Sequence, residues 1–535
     1  MARTDALSRK IDKLYDIETP DQMPGGVVGI AKGDKILHLG GYGCANIEWR
    51  APWTVDTRYR IASVTKTFTA HAIHVLAKSG RLGLDDPITK YFPEYSRYQQ
   101  PITVSNLLAM SSGFKHDEVT AELCGMHSVS TLEFFEKVAQ RQGPLMYPPG
   151  SFQVYCCTNY RLLARLIEKV TSKPYGDAIR EIVLEPEDLL ITHYVRDAVH
   201  PEYQEARPYI REKEGRYRIS AEQYDYATSG DGGLKSTLNE VLKYIIHISR
   251  PEPCGAPSVL ERLATSVSKV AGKRPVYGHG VMLEQRKGIR SWGHGGAFNS
   301  WYQYFPDYDV TVACFNNDQD MPSNTTCWDA FRIYLEAFDP LAHAETFGKD
   351  TPAVIERLAG DYADMETGYL LNLEIHKGTL FANFMGSADM PMRAEGESEY
   401  WTHTMEVMFG FKIKNTPGQV RPTLRVYDAG HDQNPRIFQP ITTSDKFPKG
   451  AHQYEGLYIW WEMVALHRID TTGSSIVLQI GLGNHAESRI ALRHLGGDAF
   501  VGGDTAVRFE RSDRGEVVAM RLSRYRAREV KFIRL

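Results

Sequence analysis

Hydrophobic and polar positions follow two different periods in the first 340 residues. Between residues 24 and 43 apolar and polar residues alternate around glycine-rich turns, which predicts a β-hairpin, and the charged segment 1–13 before it predicts a helix. Apolar residues at helical spacing then predict helices over residues 65–78, 103–110, 132–140 and 159–171. Strand-like runs return over residues 278–283, 291–293, 301–305 and 310–315, and a further helix is predicted over residues 327–338.

This order places strands at both ends of the region and helices between them, which predicts an α+β domain over residues 1–340. After Asp339 the pattern changes, because short alternating runs separated by glycine and proline predict an all-β region. Within that region residues 358–362 resemble residues 454–458, and Gly456 lies 96 residues after Gly360. The repeat predicts two similar β-barrel domains, over residues 350–445 and 450–535.

Length and composition exclude several classes of protein. A chain of 535 residues exceeds what one hydrophobic core supports, which agrees with about two to three domains. With 42% hydrophobic and 24% charged residues it has the composition of an ordinary globular protein. The net charge is only −4, and no basic cluster indicates a nucleic-acid partner. The N-terminus lacks the apolar run of a secretory signal or anchor, so we expect a cytoplasmic protein without a membrane partner.

Seven cysteines, an odd number at wide spacing, do not form the pattern of a disulfide framework. Cys156 and Cys157 are adjacent, but no CxxC or HExxH motif accompanies them. The 18 histidines are dispersed, and no GxGxxG motif follows a convincing strand. We therefore predict no metal and no cofactor.

A serine three residues before a lysine at a helix start can place a hydroxyl beside an amine that accepts its proton. The pattern occurs three times, at residues 63–66, 112–115 and 266–269. Only Ser63 follows an apolar approach and opens a strongly periodic helix, where exposed N–H groups favour a developing oxyanion. Ser63 and Lys66 are therefore the candidate nucleophile and base. In isolation Ser63 could equally be a helix cap.

Two further sites carry candidate chemistry. Tyr155 follows a Pro-Pro-Gly turn and precedes a helix, where its phenol could exchange protons with the nucleophile and the leaving group. Residues 292–297 read Trp-Gly-His-Gly-Gly-Ala on a predicted strand. Gly295 and Gly296 allow a substrate to approach the backbone, and the Ala297 N–H could complete an oxyanion hole with the Ser63 N–H. His294 would supply a titratable group beside the leaving group.

Together these motifs occur in an order that resembles the serine β-lactamase-like superfamily, which includes the penicillin-binding proteins. Supporting phrases lie at residues 82–87, 107–113, 232–237, 277–280 and 316–317, so the resemblance covers most of residues 20–340. It is closest to the D-stereospecific aminopeptidases, whose nucleophile phrase is similar to residues 61–66. The resemblance implies a β-lactamase-like catalytic domain, with an antiparallel sheet flanked by helices and an all-helical region, followed by two antiparallel eight-stranded β-barrels.

The resemblance also implies a loop from the last barrel to the active site, near residues 481–489, in which Glu487 could pair with a substrate ammonium. One departure concerns Cys157, which stands in the substrate-binding position where this family usually has asparagine. A thiol hydrogen-bonds poorly, which puts the preference for amides in doubt.

The motifs thus predict a serine hydrolase that forms an acyl-enzyme, and the resemblance implies that it releases N-terminal D-amino acids from short peptides, amides or esters. An esterase, acyltransferase or peptide cyclase on the same fold is the near alternative, because the fate of the acyl group depends on water exclusion. A penicillin-binding sensor without turnover is the alternative from another class. The only partner expected is the small substrate, and a homodimer is left open.

Overall fold

A computed structural model describes the fold of the chain outside several short segments. The described residues are 2–15, 17, 19–125, 131–195, 202–212, 215–220, 229–266, 277–286, 288–319, 321–341, 355–364, 369–376, 378–384, 390–394, 399–402, 411–414, 421–428, 436–441, 450–472, 475–481, 488–503, 505–524 and 527–535. The predicted joints between the three domains, at residues 340–350 and 445–450, lie almost entirely outside these ranges, so the domain bounds stay predictions.

Ten α-helices lie within the described residues. They are α1 Ala2–Asp12, α2 Thr65–Lys78, α3 Val104–Leu108, α4 Asp117–Leu123, α5 Leu132–Arg141, α6 Cys157–Thr171, α7 Tyr175–Ile179, α8 Leu238–Ser249, α9 Val259–Thr265 and α10 Ser323–Phe338. None of these described helices is long and apolar enough to cross a membrane.

The strands of the first 340 residues build one large sheet and three small ones. They are β1 Gly26–Lys32, β2 Lys35–Tyr42, β3 Cys44–Asn46, β4 Ala51–Pro52, β5 Tyr59–Arg60, β6 His193–Tyr194, β7 Tyr209–Arg211, β8 Tyr217–Ile219, β9 Leu234–Ser236, β10 Met282–Arg286, β11 Ile289–Gly296, β12 Ser300–Phe305 and β13 Val310–Asn316. The large sheet has the order β10-β11-β12-β13-β1-β2, with neighbouring strands antiparallel. Helices α8 and α10 pack on it, and α2, α3, α5 and α6 form a helical region. The predicted α+β, β-lactamase-like fold is confirmed.

Local chemistry explains where the predicted elements were right and where they were wrong. The predicted helix 65–78 matches α2 at both ends, and Gly80 follows it with a φ of +73°, as expected for a glycine just past a helix C-terminus. The predicted strand at 278–283 begins only at Met282. Residues before it form a turn in which the Gly278 N–H donates to the Val281 carbonyl, and Gly280 takes a φ of +74°. Such a turn cannot continue a strand.

The C-terminal region is all-β, as predicted. Its strands are β14 Gly360–Asp364, β15 Tyr369–His376, β16 Thr379–Phe384, β17 Met390–Pro391, β18 Arg393–Ala394, β19 Glu399–Thr402, β20 Phe411–Lys414, β21 Leu424–Asp428, β22 Arg436–Pro440, β23 Gly456–Trp460, β24 Ala465–Thr472, β25 Ser475–Ile480, β26 Ser488–Gly496, β27 Ala499–Gly502, β28 Thr505–Arg511, β29 Val517–Arg524 and β30 Ala527–Arg534. Strands β23 to β30 close into an eight-stranded barrel. Strands β14 to β22 form a curled sheet whose end strands, β17 and β18, are separated only by Met392.

The weak repeat in the sequence corresponds to a repeated corner in the structure. The Tyr362 hydroxyl donates to the Leu358 carbonyl at 2.9 Å, and the Tyr458 hydroxyl donates to the Tyr454 carbonyl at 2.8 Å. In both corners the tyrosine is buried and reaches back four residues, across the glycine that opens the first strand of its unit. The two β units therefore start in the same way.

Candidate active site

The candidate nucleophile lies on a strained turn at the start of α2. Ser63 sits in a 3-10 turn, Ala62–Val64, that runs directly into the helix, and its side chain is largely buried. Ala62 takes a φ of +43°, a conformation that costs a residue with a side chain roughly 1–3 kcal/mol. The Ile61 N–H donates to the Leu234 carbonyl of β9, which ties the turn to its neighbour. The surrounding structure therefore imposes the position of Ser63.

Lys66 lies one turn along the helix and is 0% exposed. Its Nζ donates to Ser63 Oγ at 3.0 Å, to the Asp231 carbonyl oxygen at 2.6 Å and to Cys157 Sγ at 3.7 Å. These three acceptors match the three N–H bonds of an ammonium group. The amine of Lys66 is therefore held on three sides and lies in contact with the Ser63 hydroxyl.

Tyr155 lies beside this pair, just before α6. Its ring centroid is 4.8 Å from Lys66 Nζ and 6.2 Å from the His294 ring centroid, and the residue is buried. The structure thus brings Ser63, Lys66, Tyr155 and His294 into one cluster. The role of Tyr155 in proton transfer stays a prediction.

His294 differs from the sequence expectation of a titratable group beside the leaving group. Burial, followed by the nearby Lys66 charge, lowers the pKa of His294 to about 3, so the imidazole is neutral at ordinary pH. Nδ1 lies 2.8 Å from the Gly295 carbonyl and Nε2 lies 2.9 Å from the Tyr277 hydroxyl. These contacts assign the proton to Nδ1 and make Nε2 an acceptor from Tyr277. Both nitrogens are thus engaged within the protein, and the geometry favours a positioning role.

The end of β11 presses against the nucleophile turn. A side-chain carbon at Gly296 would lie 2.2 Å from the Ile61 carbonyl oxygen, and one at Gly295 would lie 2.0 Å from the Trp301 ring. Both positions therefore require glycine. The Ser300 hydroxyl also donates to the Ile61 carbonyl, at 2.8 Å. Ala297 follows Gly296 directly and is exposed. Its N–H as the second oxyanion donor, beside the Ser63 N–H, stays a prediction.

An acidic wall, Asp117, Glu118 and Asp231, surrounds the guanidinium of Arg161. Arg161 contacts the three carboxylates at 2.6, 2.5 and 3.2 Å, respectively. Burial raises the pKa of Asp117 to about 6, although Arg161 opposes the shift. Glu118 is the most accessible of the three, with a side chain 26% exposed against 1% and 4%.

Cys157 lies between this wall and Lys66. Burial raises the pKa of its thiol to about 12, against the opposing effect of Lys66, so the group is protonated at ordinary pH. Potential metal-ligand atoms of Glu118, Cys157 and Asp231 lie within 4.8 Å of one another. The guanidinium of Arg161 already binds the carboxylates of Glu118 and Asp231, however, and so occupies the position between them that a metal ion would need. The trio is thus explained by an ion pair.

The other Ser-x-x-Lys matches differ from the first. The Ser112 hydroxyl donates to the Asn159 side chain at 2.6 Å, and Lys115 Nζ donates to the Pro144 carbonyl, so both have structural contacts. Lys269 of the third match lies outside the described residues. Glu487 also lies outside them, so the predicted contact of Glu487 with a substrate ammonium stays a prediction.

Sequence reasoning missed four residues that shape the site. Asp231 supplies a carbonyl to Lys66, and Tyr277 donates a hydrogen bond to His294. Glu118 belongs to the acidic wall, and Arg161 is the cation that this wall surrounds. Tyr277 opens one of the phrases that carried the resemblance, and Asp231 directly precedes another. These positions were thus signalled, but their roles depend on contacts between distant parts of the chain.

Comparisons with known proteins identify the family and the fold of the chain. The family model described as Beta-lactamase matches residues 11–335. A D-aminopeptidase of Brucella anthropi is 26% identical over 376 residues, which cover 69% of each chain. The octameric penicillin-binding protein homologue from Pyrococcus abyssi superposes with a TM-score of 0.55 at 24% identity, over 81% of this chain and 99% of the other. The D-amino acid amidase from Ochrobactrum anthropi SV3, complexed with D-phenylalanine, gives 0.51 at 22% identity, over 63% and 99%.

Proposed function

Because the chain belongs to the beta-lactamase family, we propose that it is a serine hydrolase that works through an acyl-enzyme on Ser63. One observation carries the proposal. Lys66 Nζ lies 3.0 Å from Ser63 Oγ, fully buried, at the start of a helix whose backbone is strained immediately before the serine. A serine becomes an effective nucleophile when a base and an oxyanion hole are both in place.

The contacts of Lys66 suggest how the first step proceeds. In its neutral form Lys66 accepts the Ser63 proton as Oγ attacks the substrate carbonyl. The ammonium formed in this step is held by the Asp231 carbonyl and by Cys157 Sγ, which are already in place. Groups that are fixed before the reaction stabilise developing charge without the cost of reorganisation.

The second half of the reaction returns the proton. Collapse of the tetrahedral intermediate breaks the bond to the leaving amine or alcohol, which takes up a proton relayed from Lys66 through Tyr155. Water then attacks the acyl-enzyme, the acid product leaves, and Ser63 regains its proton. Tyr155 is suited to this relay because its ring lies directly beside Lys66.

The proposed substrates carry a free α-ammonium group, as in N-terminal D-amino acids of short peptides, amides or esters. The relative from Brucella anthropi bears the name D-aminopeptidase. In this chain three carboxylates face the single guanidinium of Arg161, and Glu118 is the member that reaches solvent. Carboxylates in excess beside the nucleophile favour a cationic substrate.

Ester hydrolysis or acyl transfer is the second candidate, and Cys157 is the observation that favours it. Its thiol occupies the position next to Lys66 where a hydrogen-bonding amide would help to hold a substrate amide. Comparing D-alanine and L-alanine p-nitroanilides with short acyl p-nitrophenyl esters separates the candidates. Preference for the D-nitroanilide supports the aminopeptidase, and turnover of esters alone supports the second candidate.

The nucleophile itself is tested with Ser63→Ala, assayed on whichever substrate is turned over best. We expect kcat/KM to fall by at least about 10³-fold, with an unchanged melting temperature and loss of the covalent fluorophosphonate adduct in mass spectrometry. A variant that keeps full activity would disprove the assignment of Ser63.

A further inference from the structure

The closed barrel, β23 to β30, shares its apolar core with one short helix of the catalytic region. Leu123 and Cys124, at the C-terminal end of α4, are buried in the same cluster as Tyr458 and Ile480 of the barrel. Val119 packs against this cluster from one turn earlier. One face of α4 is thus part of the barrel core.

An ion pair fixes the same end of the helix. Arg524 Nη1 of β29 lies 3.0 Å from Glu122 Oε2, and the arginine side chain is only 10% exposed. Its Nε donates to the Thr505 hydroxyl at 3.0 Å, which holds the guanidinium against β28. The barrel therefore presents an oriented, nearly buried cation to α4.

Just beyond the helix the two regions touch backbone to backbone. A side-chain carbon at Gly125 would lie 2.5 Å from the Gly481 Cα, and one at Gly481 would lie 2.4 Å from the Gly125 Cα. Both glycines have a φ of +76°. No other residue fits this contact without displacing the barrel from the helix.

The opposite end of α4 faces the candidate active site. Asp117 and Glu118 bind Arg161, which contacts Asp231, whose carbonyl accepts a hydrogen bond from Lys66. A helix of seven residues is too short to be stable alone, so its placement depends on what packs against it.

We propose that the Arg524–Glu122 pair and the Gly125–Gly481 contact act as a clamp that positions α4. Through this clamp the barrel sets where Glu118 lies beside Cys157, and thereby the affinity for substrates with an ammonium group. The proposal rests on the function proposed above and assigns Arg524, Glu122, Gly125 and Gly481 as positioning residues. None of them touches the reacting atoms.

Kinetics of Arg524→Gln in the full chain test the clamp, with D-alanine p-nitroanilide as the cationic substrate and p-nitrophenyl butyrate as the neutral one. We expect KM for the cationic substrate to rise about tenfold while kcat for both substrates and KM for the butyrate stay within about twofold. Arg524→Lys should restore most of the affinity. Arg511→Gln is the control, because it breaks a 2.6 Å ion pair whose two partners, Arg511 and Asp498, both belong to the barrel.

Hydrogen exchange gives a readout that does not depend on the substrate. Amides of residues 117–124 should exchange faster in Arg524→Gln and in Gly481→Ala than in wild type or in Arg511→Gln. Unchanged exchange in these amides would overturn the clamp, as would a rise of KM that is equal for both substrates. Faster exchange in a protein that turns over only the butyrate would support the clamp and refute the proposed substrate class.

Discussion

The catalytic region and the closed barrel each bury a histidine whose pKa is strongly lowered, but the two side chains have opposite surroundings. His294 is held on both nitrogens, by Tyr277 and by the Gly295 carbonyl, and its pKa falls to about 3. Burial lowers the pKa of His467 to about 4, yet neither of its nitrogens makes a hydrogen bond of normal length. Its ring packs against Phe532 at 4.3 Å between centroids.

The difference shows that a shifted pKa alone does not identify a functional group. Desolvation is the largest cause of the shift in both histidines, so the direction is the same. The two histidines differ in the hydrogen-bond partners of their ring nitrogens. His294 is oriented by two hydrogen-bonded neighbours beside Lys66, whereas His467 is buried against apolar side chains such as Phe532, and the burial of its ring nitrogens costs stability.

The largest expected effect separates the two regions directly. Lys66→Met keeps the length of the side chain but removes the amine, and we expect kcat/KM to fall by at least about 10³-fold. His467→Leu removes a polar group of the barrel. We expect an unchanged kcat/KM and a free energy of unfolding that is higher by about 1 kcal/mol. Steady-state kinetics and urea unfolding of the two variants measure both. Comparable activity losses in the two variants would contradict the distinction.

An intermediate effect compares two tyrosine–histidine pairs within the catalytic region. Tyr277→Phe removes the hydrogen bond to His294, and we expect kcat to fall about fivefold, since a hydrogen bond contributes about 1 kcal/mol. Tyr244→Phe removes the matching bond to His71 Nδ1, 3.1 Å long. We expect Tyr244→Phe to lower the melting temperature about as much as Tyr277→Phe does, but to leave kcat unchanged. Equal kcat values for both variants would argue against a positioning role for Tyr277.

The third comparison concerns how acid changes the stability of the barrel. An unfolded His467 has the ordinary pKa of 6.5, so between pH 6.5 and about 4 the unfolded chain binds a proton that the folded barrel excludes. The free energy of unfolding is unaffected by this titration above pH 6.5, and it falls by at most about 1.4 kcal/mol per pH unit as the pH drops below that value. His467→Leu should therefore flatten the decline in melting temperature between pH 7 and pH 5. An identical pH dependence in wild type and variant would show that His467 does not titrate on unfolding.

Local patterns in the sequence predicted the parts of the fold that local chemistry decides. The helix 65–78 was placed correctly because its apolar spacing ends at Ser79-Gly80. The repeat with a glycine spacing of 96 residues, from which two similar β units were predicted, corresponds to the paired tyrosine corners. The strand expected at 278–283 was wrong because its glycines adopt a turn. Apolar and glycine content alone do not distinguish a strand from a tight turn.

The candidate site divides in the same way. Ser63 and Lys66 are three residues apart where a 3-10 turn runs into α2, so their contact follows from local helical geometry. The Asp231 carbonyl lies 165 positions from Lys66 in the chain, and any residue type could supply it. The neutral state of His294 also escaped prediction, because it depends on complete burial beside Lys66.

The backbone contact of Gly125 with Gly481 limits which barrels could replace the closed barrel of this chain. A barrel grafted from a relative would dock only if it offered a residue without a side chain at the place of Gly481 and met another at Gly125. The two modules must therefore be inherited or transplanted as a matched set. The fit of a transplanted barrel would thus be decided at a contact between two parts of the chain 356 positions apart.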